Sequence, residues 1–350
     1  LPGDVTNPQP DMPAASSDNL TGQTVKLKMD EPASGTYKGE TVYFLGWSAT
    51  KQPVMSKGDS YQDKLITEVT FEKNHIDVYA VWGYDTNGDT VADVKEDTYT
   101  LTYMPNDGKG VPKDNNLYLY TDTATLETVN LPIHDADHGK KVVFAGWTGT
   151  KQISIFEAGD TAPTYLTQVT FTDKTNKVVY AAWGYDINGN NIADVNETQY
   201  TLRYDPNGGS NAPADEKYLP DEEVTLNSQV PTHQDDGDTH VLFVGWSETQ
   251  VANILSAGDQ QPDLVTGITM PDADKDVYAV WSYDQNNNGV ADIKETGKLL
   301  TYDANGGDDS SMPAQDTNKY APGTEVTLSK TVPTHGQDDG KDVVFIGWTT

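Results

Sequence analysis

The chain has 350 residues, 35% of them apolar and none of them cysteine, so disulfides, thiolate metal sites and cysteine nucleophiles are excluded. Asp and Glu outnumber Lys and Arg 54 to 23, and the formal charge of -31 repels phosphate backbones and anionic headgroups, which excludes nucleic acid as a partner. No apolar run reaches the roughly 18 residues of a membrane span, and the first residues lack the basic and apolar regions of a secretory leader.

At this length a single core is outgrown and several domains are expected. Abundant Gly, Pro, Thr, Asn and Asp favour short strands joined by turns, a mainly β class. Along the chain, Met12-Pro13-Ala14 and Gly22-Gln23-Thr24-Val25-Lys26-Leu27 come first, and they match Met312-Pro313-Ala314 and Gly323-Thr324-Glu325-Val326-Thr327-Leu328 near the other end. Phe44-Leu45-Gly46-Trp47 comes next, and recurs about every hundred residues as Phe144-Ala145-Gly146-Trp147, Phe243-Val244-Gly245-Trp246 and Phe345-Ile346-Gly347-Trp348. Strict alternation places Val42, Phe44 and Gly46 on one face of this strand and Tyr43, Leu45 and Trp47 on the other. Both faces are apolar, which predicts a central strand covered by a helix or a second sheet, with the glycine admitting a close neighbour.

The segment 58–67 is expected to hold a short helix and a turn. The closing strand Val78-Tyr79-Ala80-Val81-Trp82 recurs as Val179-Tyr180-Ala181-Ala182-Trp183 and Val277-Tyr278-Ala279-Val280-Trp281. Each later copy opens on Leu101-Thr102-Tyr103, Leu202-Arg203-Tyr204 or Leu300-Thr301-Tyr302, followed by Asn106-Asp107-Gly108, Asn207-Gly208-Gly209 or Asn305-Gly306-Gly307. All seven tryptophans fall in the repeated blocks and are expected in cores, not on a ligand platform. The incomplete first and fourth copies lead to the expectation that the polypeptide continues in both directions.

These words, Tyr-x-x-Asn-Gly-Gly, Gly-x-x-Val-x-Leu, Phe-x-Gly-Trp and Val-Tyr-Ala-x-Trp in fixed order, resemble the Listeria-Bacteroides repeat of internalin B-repeat type. The resemblance implies compact β-grasp-like units, mainly β or α+β, in an elongated array on a bacterial cell surface, and it brings no catalytic residue. Asn106-Asp107-Gly108 departs from the pattern, as do the acidic inserts beginning at His134, His233 and His335.

After each closing strand stands a twelve-residue run with oxygen ligands at the offsets of a calcium loop. The first is Asp85, Asn87, Asp89, Asp93 and Glu96, with Val91 supplying a carbonyl. The second is Asp186, Asn188, Asn190, Asp194 and Glu197 with Ile192, and the third Asp284, Asn286, Asn288, Asp292 and Glu295 with Val290. A hard cation needs alternate side chains turned inward and a late bidentate carboxylate, so about three Ca2+ ions are expected, one per loop. The stretch 92–96 can form a helical turn that returns Glu96 to the ion. The glycine wanted at the sixth position is Gly289 in the third loop but Thr90 and Asn191 in the others, which predicts distortion or weaker binding there.

The domain reading is then 1–83, 98–184, 199–282 and 297–350 for the repeats, with 84–97, 185–198 and 283–296 as the loops between them. His134 and His138 among aspartates raise a zinc site, but later copies do not keep the pair, and loop histidines are the reading taken. Everything memorable is repeated, whereas catalysis needs one singular constellation, so no enzyme is expected. The leading expectation is an extracellular, calcium-stiffened stalk segment able to self-associate along a filament. The alternative is direct binding of a host or matrix ligand by the acidic hairpins at 135–141, 234–239 and 337–342.

Overall fold

The computed structural model describes residues 5–6, 15, 19–30, 34–73 and 75–350; Met12-Pro13-Ala14 lies outside them. The architecture is mainly β, with several small sheets, and helix occurs among the described residues only as short 3₁₀ turns. The segment expected to hold a short helix contains one such turn, Gln62–Lys64, in the first copy. The chain divides into two compact units, Leu1–Asn196 and Glu197–Thr350.

In the first unit, strand Glu40–Ser48 lies between Ser34–Tyr37 and Tyr79–Asp85, with Val5–Thr6 at the edge. The second copy forms a mixed sheet in which Lys177–Tyr185 is central, parallel to Leu101–Met104 and antiparallel to Val142–Thr148. The second unit repeats this plan. Lys275–Asp284 runs parallel to Tyr200–Asp205 and antiparallel to His240–Ser247, and Glu216–Tyr218 adds an edge. The Phe-x-Gly-Trp strand is thus central in the first copy but flanks the closing strand at the sheet edge in the second and third, where sequence alone placed it centrally. The closing strand takes the central place there, because the parallel opening strand bonds its other side.

Strict alternation also fails within the Phe-x-Gly-Trp strand. Phe44 pairs with Trp82 while Gly46 pairs with Val81, so one residue is inserted opposite the partner strand; the same shift occurs at Phe243 and Gly245, and opposite Ala182 and Trp183. This bulge turns the side-chain sequence over. Trp47 therefore joins Val42 and Phe44 in one core, and Leu45 faces the other way with Tyr43. The glycine does admit a close neighbour: Leu65 packs over Gly46, the Tyr165 ring over Gly146 and Leu264 over Gly245.

On the tryptophan face, a two-stranded ribbon covers each sheet: Thr24–Lys26 with Glu68–Thr70, Thr123–Thr125 with Gln168–Thr170, and Glu223–Thr225 with Gly267–Thr269. Trp147, Trp183, Phe171, Leu101 and Val179 close the core of the second copy, with Phe144 and Trp147 edge to face at 4.9 Å. The fourth copy has only Lys298–Leu299 paired with Lys319–Tyr320, so Leu300-Thr301-Tyr302 is not a strand there. Its Val344 and Ile346 are 76% and 98% exposed.

Candidate metal centres in the acidic loops

Each closing strand delivers the first acid of its loop directly: Tyr79–Asp85 and Lys275–Asp284 end on it, and Lys177–Tyr185 ends one residue before Asp186. Asx turns hold the remainder of each loop locally. Asp85 accepts from the amides of Gly88 and Thr90 at 2.8 and 3.1 Å, and Asp284 from those of Asn288 and Gly289 at 3.0 and 2.9 Å. Asp89, Asn190 and Asn288 each accept the amide two residues on, from Val91, Ile192 and Val290. The ninth-position aspartates reach back to the second residue: Asp93 to the Thr86 amide at 2.9 Å, Asp194 to Ile187 at 3.1 Å and Asp292 to Gln285 at 3.2 Å.

The sixth residue has the same left-handed backbone in all three loops, with φ of 73° at Thr90, 69° at Asn191 and 79° at Gly289. The threonine therefore accepts the glycine conformation instead of distorting the turn, at a cost of about 1–2 kcal/mol in steric strain. Asp93–Lys95, Asp194–Asn196 and Asp292–Lys294 form the expected helical turn, as a single 3₁₀ turn.

Apolar packing fixes the loops to the copies that precede them. Ala92 and Val94 pack with Leu45, Met55 and Val81 on the face of the sheet opposite the tryptophans, and Ala291 and Ile293 pack with Val244, Leu255 and Val280. This second, smaller core went unseen in the sequence, although the apolar pairs Ala92/Val94, Ala193/Val195 and Ala291/Ile293 are its signal. The loops are thereby extensions of a folded copy, not free linkers.

Asp85, Asp93, Asp186, Asp194, Asp284 and Asp292 are each no more than 6% exposed, and they make up most of the buried polar and charged residues. A buried carboxylate calls for a compensating charge. Lys141 pairs with Asp186 at 2.6 Å; Asp85, Asp93, Asp284 and Asp292 have no ion pair among the described residues. Burial, with Glu295 and Asp284 adding repulsion, pushes Asp292 up to about 6. Glu96 is raised by burial first and then by the Asp89 carboxylate. Oδ1 of Asp186 is buried without a hydrogen-bond partner.

Among the described residues, no three His, Asp or Glu side chains are gathered closely enough to hold a metal by those groups alone. The sequence of each loop also carries asparagine oxygens and main-chain carbonyls, and oxygens of these kinds are what a hard cation takes. Val91, Ile192 and Val290 keep exposed side chains, so any part they play is that of the backbone. Glu197 belongs to the second unit, while the preceding residues of its loop belong to the first.

The histidines of the acidic hairpins do not converge. His134 lies beside the Trp183 ring at 5.0 Å, His233 beside Trp281 at 5.0 Å, and His138 engages Asp137 at 2.9 Å. The hairpins close on bridges between Asp137 and Lys140, Asp236 and Thr239, and Asp338 and Lys341. Two are tethered to the residue before a loop: Tyr185 donates to Asp137 at 2.6 Å and Tyr283 to Asp236 at 2.8 Å.

No protein-family model matches the chain. No curated protein matches it. Among solved structures, it is similar to "Streptococcal High Identity Repeats in Tandem (SHIRT) domains 3-4 from cell surface protein", with 14% identity over 53% of this chain and 97% of that chain, at a TM-score of 0.23.

Proposed function

We propose that the chain is a segment of an extracellular, cell-surface stalk made of Listeria-Bacteroides-like repeats, in which calcium held by the loops at 84–97, 185–198 and 283–296 stiffens the passage from one copy to the next. The ion would be held by Asp85, Asn87, Asp89, the Val91 carbonyl, Asp93 and Glu96 in the first loop, and by the corresponding residues of the other two. When bound, a divalent cation supplies a positive charge to Asp85, Asp93, Asp284 and Asp292, which have no ion pair among the described residues. The chain's own contribution is to pre-form the loop through Asx turns and to anchor it by Ala92 and Val94 on the preceding sheet.

One observation carries this reading: carboxylates at the first and ninth positions of all three loops are buried, and Asp85, Asp93, Asp284 and Asp292 have no ion pair among the described residues. Proteins rarely bury carboxylates at such density without a partner charge, since desolvation costs several kcal/mol per ion. The test is calorimetric titration of the whole chain with calcium, combined with small-angle scattering in calcium and in chelator. Uptake of about three ions with a longer, stiffer particle supports the stalk. Absence of heat at millimolar calcium refutes it, and binding without any change in scattering leaves the hairpins as the place to seek an adhesive role.

A further inference from the structure

The three loops are not equivalent, and one difference lies outside them. Directly across the sheet from the first aspartate stand Thr41 opposite Asp85 and His240 opposite Asp284; in the second copy Asp186 donates its amide to the carbonyl of Lys141 at 3.1 Å. Thr41 is uncharged. His240 turns away to Asp235 of its hairpin, at 2.9 Å. Lys141 turns into the loop: its Nζ lies 2.6 Å from Oδ2 of Asp186 and 2.6 Å from Oδ1 of Asn191, the left-handed sixth residue. Asn191 also donates its amide to Asp186 at 3.1 Å, so one ammonium group ties together the two residues that set the turn.

We propose that Lys141 is a resident counter-cation of the second loop, which keeps that loop shaped without metal and makes calcium compete with a tethered ammonium. This role rests on calcium being the ion of the loops. The charge of the ligand set, which tunes affinity in such loops, then grades the three sites. The first offers four carboxylates (Asp85, Asp89, Asp93, Glu96), the third three (Asp284, Asp292, Glu295), and the second, within its own unit, two (Asp186, Asp194) less the lysine charge. Affinity falls in the order first, third, second. The buried, unpartnered Oδ1 of Asp186 marks what the ammonium does not satisfy, so the site remains open to an ion that displaces the lysine.

The test is calcium titration of the full chain, wild type, Lys141→Thr and Thr41→Lys, together with amide hydrogen exchange at 187–192 in chelator. Lys141→Thr, which restores the residue of the first copy, raises the weakest site by about tenfold or more, and Thr41→Lys weakens the strongest by a similar factor, as removal or addition of one unit charge near the ion requires. In chelator, Lys141→Thr also speeds exchange at 187–192. Three equal sites unchanged by either variant, with unchanged exchange, overturn the role of Lys141 alone. Absence of calcium binding by all three proteins overturns the calcium reading and the competition with it.

Discussion

Asn87 donates its side-chain amide to both oxygens of Glu96, at 3.2 and 3.3 Å, and so ties the third residue of the first acidic loop to its twelfth. Asn286 donates likewise to one oxygen of Glu295, at 3.0 Å. The last carboxylate is therefore already folded back over the loop, although it lies next to another acid.

That arrangement predicts opposite effects of one substitution in two conditions. Glu96 is disfavoured as a charge by burial and by Asp89. Glu96→Gln should raise the melting temperature in chelator, where it relieves repulsion, and lower calcium affinity at the first loop by at least about tenfold. Thermal scans with and without calcium check both signs, and a fall in chelator would count against repulsion in the empty loop.

A raised carboxylate gives the pH dependence of the third loop. Asp292 titrates at about 6, above the value near 3.9 of an unfolded aspartate, so the folded metal-free chain binds this proton more tightly. Its unfavourable contribution is full above pH 6 and fades as pH falls through 6 toward 4. Calcium must displace the same proton, so affinity at this loop should weaken steadily below pH 6. Titrations at pH 7.5 and 5.5 on a chain with the other two loops disabled by Asp85→Asn and Asp186→Asn measure it.

Thr90 holds φ at 73°, a region costly for a β-branched residue. Thr90→Gly should stabilise the chain by about 1 kcal/mol, the relief of strain being partly offset by the greater freedom of glycine in the unfolded state. Denaturant midpoints decide the sign; Gly289→Thr, its converse in the third loop, should destabilise by a similar amount.

The asparagine that opens Asn-Gly-Gly is a structural bracket. Asn207 donates to the carbonyls of Val251 and Ala279 at 2.7 and 2.9 Å, and Asn106 to those of Gln152 and Ala181 at 3.0 Å each. Asn207→Ala strands these acceptors and should cost about 1–3 kcal/mol, read as a shifted unfolding midpoint with calcium binding in the first loop unaltered.

The block order, the strands and the loop spacing were legible because they repeat, and repetition separates pattern from accident. The bulge at Gly46 was not, because period-two reading has no means of seeing an inserted residue until the partner register is known; Trp47 was accordingly placed on the wrong face. The second core was hidden in loop residues such as Ala92 and Val94, which look like spacing between ligands. Lys141 escaped notice for a simpler reason: its partner Asp186 lies 45 positions away and only sheet pairing brings them together.

The parallel pairing of Leu101–Met104 with Lys177–Tyr180, and of Leu202–Asp205 with Lys275–Tyr278, fixes how a copy bears tension. A pull that enters through the opening strand and leaves through the closing one slides two neighbours past each other lengthwise, so the rungs between them share the load and must rupture together. Unzipping from one end, which would break them singly at low force, is not the direction in which a tethered chain is stretched.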